Sequence, residues 1–110
     1  MMTINKIQKD GKTTFALSGR MDAAAAPELQ EVLIAELENA KYVDLDFAGI
    51  AYISSAGLRT LLLGEKTAKG KGVQQTLVNV SEDIMEVFKM TGFSGILHFG
   101  RGIEGKEVMS

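Results

Sequence analysis

The sequence predicts an α/β domain, a mixed sheet of four to five strands packed against about four helices in the order ββαβαβαβ. Three observations carry this. An Asp10-Gly11 pair separates two strand-like stretches, which is a hairpin signal and makes the sheet mixed. Beyond it, the hydrophobic period changes back and forth between that of a strand and that of a helix. Each helical stretch is also followed by a strand-like one, the alternation of a sheet covered by helices.

The elements follow in order. "TINKIQ" alternates weakly and reads as a short first strand; "TTFALSG" reads as the second, with Phe15 and Leu17 on one face and Gly19 ending it. In "DAAAAPELQEVLIAELENA", Leu29, Val32, Leu33 and Leu37 keep helical spacing, with Glu28, Glu31, Glu36 and Glu38 mainly off that stripe. Pro27, the sole proline, suits the first helical turn, where a missing N–H costs nothing. "YVDLDFAGI" returns to strict alternation, with Val43, Leu45 and Phe47 opposite Asp44 and Asp46. After Ser54 and Ser55 the period is helical through Leu58, Leu61 and Leu62, weakened at Gly64 and ended by "KGKG". "VQQTLVNV" is a further strand. Ser81 reads as an N-cap ahead of the Ile84, Val87 and Phe88 stripe, and Gly92 as a left-handed C-cap. "GILHF" reads as a last short strand, and the glycine-rich "GRGIEGKEVMS" as either a frayed tail or a C-terminal helix.

A length of 110 residues predicts a single domain over 1–110, large enough for a core without staples. Hydrophobic residues make up 45% and charged ones 24%, which argues against disorder. A formal charge of −2 leaves no basic footprint for nucleic acid. The absence of cysteine excludes disulfides and thiolate chemistry. No apolar run approaches the length of a membrane span and no signal peptide is visible, so the expectation is a cytoplasmic protein without membrane insertion.

An enzyme would need a constellation of reactive groups. The single histidine, His98, reads as a partly exposed strand-end residue; without cysteine it makes no His/Cys metal site. Asp44 and Asp46 share a strand face about 7 Å apart, and alternating polar residues on the less buried face explain them more simply than a catalytic pair. Gly64, Gly70, Lys71 and Gly72 miss the spacing of a phosphate loop. The six methionines form no stripe and suggest core filling. No catalytic residue, metal ligand or cofactor site emerges. What survives is Ser54 and Ser55, where a strand gives way to a helix. A serine there can cap the helix, and free amides and the helix dipole also suit a phosphate. Ala56 and Gly57 keep that first turn thin enough for a partner to approach.

Three motifs in the right order then resemble the STAS domains, and within them the anti-sigma factor antagonists (anti-anti-sigma factors). They are "ALSGRMD", "VDLDFAGIAYISSAGLRTLL" and "GKGVQQTLVNVSEDIMEVFKMTGF", which together span nearly the whole chain. The resemblance implies a small switch protein, not an enzyme, with no cofactor. Its unphosphorylated form would bind an anti-sigma factor serine kinase of the histidine-kinase-like ATPase fold and so release a sigma factor. Phosphorylation of one serine would break the complex, and a PP2C-type phosphatase would restore it. By position the phosphoacceptor is Ser55, with Ser54 as the alternative, because Ser54 stands where the family usually has aspartate. The partner-binding surface implied comprises Asp22, Ser54, Ser55, Ala56, Gly57, Leu58 and Arg59, while Asp46 matches the central strand's aspartate. The competing reading is a STAS interaction subunit that works without phosphate in another assembly, such as a lipid-transport ATPase complex.

Overall fold

The structure, a computed structural model, describes residues 2–100. Strand β1 (Met2–Lys9) turns through Asp10 and Gly11 into β2 (Lys12–Met21). Both turn residues have positive φ, 52° and 80°, the type I′ geometry that matches the twist of the flanking strands. The chain then runs through α1 (Ala26–Leu37), β3 (Tyr42–Ile53), α2 (Ser55–Lys71), β4 (Gln74–Val78) and α3 (Glu82–Thr91). A 3-10 turn at Phe93–Gly95 leads to a two-residue β5 (Phe99–Gly100). The spatial order is β1-β2-β3-β4-β5; only the β1–β2 pair is antiparallel. Because each new parallel strand is added on the same side, right-handed crossovers carry all three helices to one face of the sheet.

That face holds Phe15 and Leu17 of β2, Val43, Leu45 and Phe47 of β3, and Leu77 of β4, none more than 2% exposed. Leu29 and Leu33 of α1, Leu61 of α2 and Phe88 of α3 close over them. Thr14, Ala16, Asp44, Asp46 and Thr76 lie on the other face and are only half-buried. Asp44 pairs there with Lys12 at 2.9 Å, and both aspartates lie on the polar side of the strand.

Several boundaries differ from the sequence reading. Strand β2 continues past Gly19 to Met21, and β3 continues past Ile50 to Ile53. In β3 the register slips twice against β2, by one residue each time: Asp46 faces Ala16 but Gly49 faces Ser18, then Ile50 faces Gly19 but Tyr52 faces Arg20. Each slip is a bulge that shifts the inward position, so burial runs 43, 45, 47, 50, 53 and strict alternation is lost. Gly49 is required at the first bulge, since a Cβ there would come 2.5 Å from Ser18 Cβ. The last strand is shorter than "GILHF", because Phe93–Gly95 wind into a 3-10 turn. Three α-helices and this turn stand among the described residues, in place of about four helices; the tail in which a further helix was an option, 101–110, lies outside them.

The caps are as expected. Ser81 Oγ accepts from Ile84 N at 3.2 Å, and Gly92 ends α3 with φ 84°. Gly72 ends α2 in the same way, with φ 71°. Gly64 does not interrupt α2. It sits buried where α1 crosses, and a methyl there would overlap the Gln75 side chain and come 2.7 Å from Leu33 Cδ2. Not all methionines fill the core: Met21 is fully buried, but Met90 is 77% exposed.

Glu36 is the one acidic residue of α1 drawn inside. Its carboxylate accepts from Thr13 Oγ1 and from Gln8 Nε2 (3.2 Å), and pairs with Lys6 Nζ at 2.9 Å, which ties the hairpin to the helix. The Thr13 hydrogen bond, then that from Lys6, holds its pKa below the ordinary 4.5, against the opposing effect of burial. A depressed folded pKa contributes stability that is present above the unfolded value and lost as pH falls through the folded one. Thermal unfolding should therefore show a stability loss below about pH 4.5 that Glu36→Gln largely removes. Near neutral pH the variant should be less stable than wild type by about 1–3 kcal/mol. An unchanged acid profile in the variant would contradict this assignment.

Candidate functional site

The two β3 bulges set the site. They bring Ile53 opposite Met21 at the carboxyl ends of β2 and β3, where open α/β sheets place their functional loops. Ser54 follows in extended conformation (φ −97°, ψ 174°), and its N–H donates to the Met21 carbonyl at 3.0 Å. Its Oγ donates to the same carbonyl at 3.1 Å and accepts from Gly57 N at 3.2 Å, making Ser54 the N-cap of α2.

Ser55 is the first residue of α2 and is exposed. Its Oγ takes part in none of the side-chain hydrogen bonds found among the described residues. The two serines are thus physically unlike: one hydroxyl is engaged on both sides, the other faces solvent. Ala56 is half-buried. Gly57 is buried, and a Cβ on it would lie 2.9 Å from Met21 Cγ and Sδ and 3.0 Å from Ile53 Cγ1. The glycine is there for close packing of the turn onto the strand ends, and no positive φ is involved. Leu58 points into the core at 8% exposure, so of the predicted surface it contributes packing more than contact area. Arg59 is exposed one helical turn beyond Ser55 and forms no ion pair among the described residues.

Asp22 follows Met21 directly and therefore shares this end of the sheet with the serine turn. Its Oδ1 accepts from Ala25 N at 3.0 Å and its carbonyl accepts from Ala25 N and Ala26 N, so it shapes the entry into α1. Asp46 is not part of this cluster. It lies on the open face at the first bulge, where its Oδ1 accepts from Ala48 N and Asn79 Nδ2, each at 3.0 Å.

Sequence reading missed one feature of this end. Arg20 and Tyr52 face each other across β2 and β3, with the guanidinium carbon 4.1 Å from the ring centroid. Both are exposed, and together they form a cationic and aromatic patch beside the serine turn. Their pairing depends on the second bulge, which no local pattern announces.

His98 lies just before β5, 58% exposed, with Nδ1 3.0 Å from Glu65 Oε2. Among the described residues no group of three His, Cys, Asp or Glu side chains could hold a metal, and no helix is long and apolar enough to cross a membrane.

The STAS domain family profile matches residues 3–105. The Bordetella bronchiseptica protein BtrV, named as a candidate anti-sigma factor antagonist, is 34% identical over 96 residues, which are 86% of this chain and 81% of that one. The anti-sigma-B factor antagonist of Staphylococcus epidermidis is 27% identical over 104 residues, 94% of this chain and 96% of that one. Among solved structures, the Bacillus cell fate determinant SpoIIAA in its phosphorylated form superposes with a TM-score of 0.74 at 14% identity, covering 93% of each chain. That last likeness concerns the fold, and it agrees with the strand order and the one-sided helices described above. With its motifs, topology and family match in accord over nearly its whole length, this chain belongs to the STAS domain family.

Proposed function

We propose that this chain is an anti-sigma factor antagonist switched at Ser55. Unphosphorylated, it binds an anti-sigma factor that is a serine kinase of the histidine-kinase-like ATPase fold, and so frees a sigma factor in the cytoplasm. The kinase transfers the γ-phosphoryl group of ATP to Ser55: the Oγ–P bond forms, the bond to ADP breaks, and the hydroxyl proton leaves to a base or water. A PP2C-type phosphatase hydrolyses the ester and resets the switch. The antagonist relatives support the class of function. The observation that carries the residue assignment is the exposed, unengaged Ser55 hydroxyl at the first position of α2, beside a Ser54 hydroxyl that both donates and accepts. The contact surface is the same end of the sheet: Asp22, Ser55, Ala56 and Arg59, with Ser54, Gly57 and Leu58 holding them in place.

The physics of the switch is local. A phosphate brings about −1.5 to −2 charges and three acceptor oxygens. At a helix N-terminus that charge is tolerated by the fold, so its effect falls on the interface. Covering it with a packed partner surface costs several kcal/mol of desolvation, next to the Asp22 carboxylate. Free energies of that size abolish complexes in the micromolar to nanomolar range. The reading of a phosphate-independent subunit in a transport complex has no support from the relatives above, which are named as antagonists.

The direct test is mass spectrometry of the protein from its native cells, combined with capture of its bound partner. Expected are a phosphate on Ser55 in one fraction and an ATPase-fold kinase bound only to the unmodified fraction. Binding of the same kinase by the phosphorylated fraction would overturn the proposal.

A further inference from the structure

The register of α2 places Arg59 four residues after Ser55, and both are exposed. None of the ion pairs among the described residues includes Arg59. Its own helix offers it no carboxylate. The residues three and four positions away are Ser55, Ala56, Leu62 and Leu63, of which Ser55 alone is polar, and the first turn of α2 holds no acidic residue. Arg20, the other cation at this end of the sheet, is engaged, with its guanidinium over the Tyr52 ring at 4.1 Å.

We infer that Arg59 is the intramolecular counter-ion of a phosphate carried by Ser55, holding it against the outer face of α2. The pair rests on the proposed phosphorylation of Ser55. Side chains on a helix lean towards its N-terminus, which directs Arg59 back towards Ser55. Cβ atoms four residues apart are separated by about 5–6 Å, a gap that phosphoserine and arginine side chains together span. An anion four residues before a cation is also the more favourable of the two orders. The planar guanidinium can donate to two phosphate oxygens at once, a contact that an unmodified hydroxyl cannot offer. Modification therefore changes two features of the contact surface. It adds the phosphate, and it takes up the guanidinium that the unmodified surface presents to a partner. The same pairing keeps the phosphate on the face of α2 that the partner would cover, and it favours the dianion.

The full chain carrying phosphoserine at position 55, installed during synthesis, tests the pair without the kinase. Because a neighbouring cation favours the dianion, phosphorus-31 NMR titration should give wild type a second phosphate pKa below that of Arg59→Gln by about 0.3. Arg59→Lys should restore most of that difference. Lys66→Gln, which removes the same charge about three turns further along α2, should match wild type. Thermal unfolding gives a second reading: the phosphate should raise the melting temperature about 2 °C more in wild type than in Arg59→Gln. The helix dipole acts equally on both and cancels in that comparison. Equal second pKa values in wild type and Arg59→Gln would overturn the pair and leave the switch standing. Absence of phosphate from Ser55 in native cells would instead remove the proposed switch, and the titration would still decide the pair.

Discussion

Ser55→Asp is expected to weaken binding to the anti-sigma factor kinase by about thirtyfold or more, while Ser55→Ala changes it by less than about threefold. The estimate follows from placing one uncompensated charge in a packed interface, about 2 kcal/mol or above. Isothermal titration of each variant against the kinase captured from native cells would measure it. The fold should not share in the loss. Ser55 is the first residue of α2, where a negative charge interacts favourably with the helix dipole by about 0.3–1 kcal/mol. The melting temperature of Ser55→Asp should therefore equal or slightly exceed that of wild type. This opposition of signs separates the interface account from simple destabilisation. Equal affinity of the two variants would sink the switch; weaker binding together with a lower melting temperature would point to damage of the fold.

The elements that could be read from the sequence are those whose signal is local. The Asp10-Gly11 turn, the Ser81 cap and the Gly92 stop each depend on residues within one turn, and all three appear where expected. Strand periodicity was readable as far as Phe47 and no further. Beyond it two bulges move the inward position by one residue each, so the pattern of Ile50 and Ile53 matches neither period. Those same bulges create the site, because they set Ile53 against Met21 and deliver Ser54 to the end of β2. The serine pair was visible as a change of period, but a sequence cannot say which hydroxyl is engaged. That is decided by the Met21 carbonyl, 33 residues away. Glu36 failed for a similar reason: it lies on an inward turn of α1 only because Thr13, Gln8 and Lys6 of the hairpin supply its partners. The Arg20–Tyr52 pair likewise exists only across the sheet.

Under the proposed function, stability and switching reside in different parts of the molecule, and Phe47→Ala is the substitution that tests this. Phe47 is completely buried on the central strand. Its ring meets Phe88 edge-on with centroids 6.1 Å apart, and Phe88 in turn meets Phe99 at 5.5 Å. The three rings help to fasten α3 and the short β5 to β3, together with the buried Ile84 and Leu97 and the pairing of β5 with β4. Truncation to alanine removes the ring and leaves a cavity that close-packed neighbours only partly fill, at a cost of about 3–5 kcal/mol. Against the usual 5–15 kcal/mol of a domain this is a large share, so urea unfolding should show a much lower midpoint. Phe47 sits mid-strand, and the second bulge separates it from the Met21–Ser54 hydrogen bonds, which should survive in the folded fraction. At low temperature, where Phe47→Ala is still folded, its affinity for the kinase should match wild type. A loss below about 1 kcal/mol would mean that the aromatic ladder is not what holds α3. A folded Phe47→Ala that no longer binds would mean that the switch surface extends into the core after all.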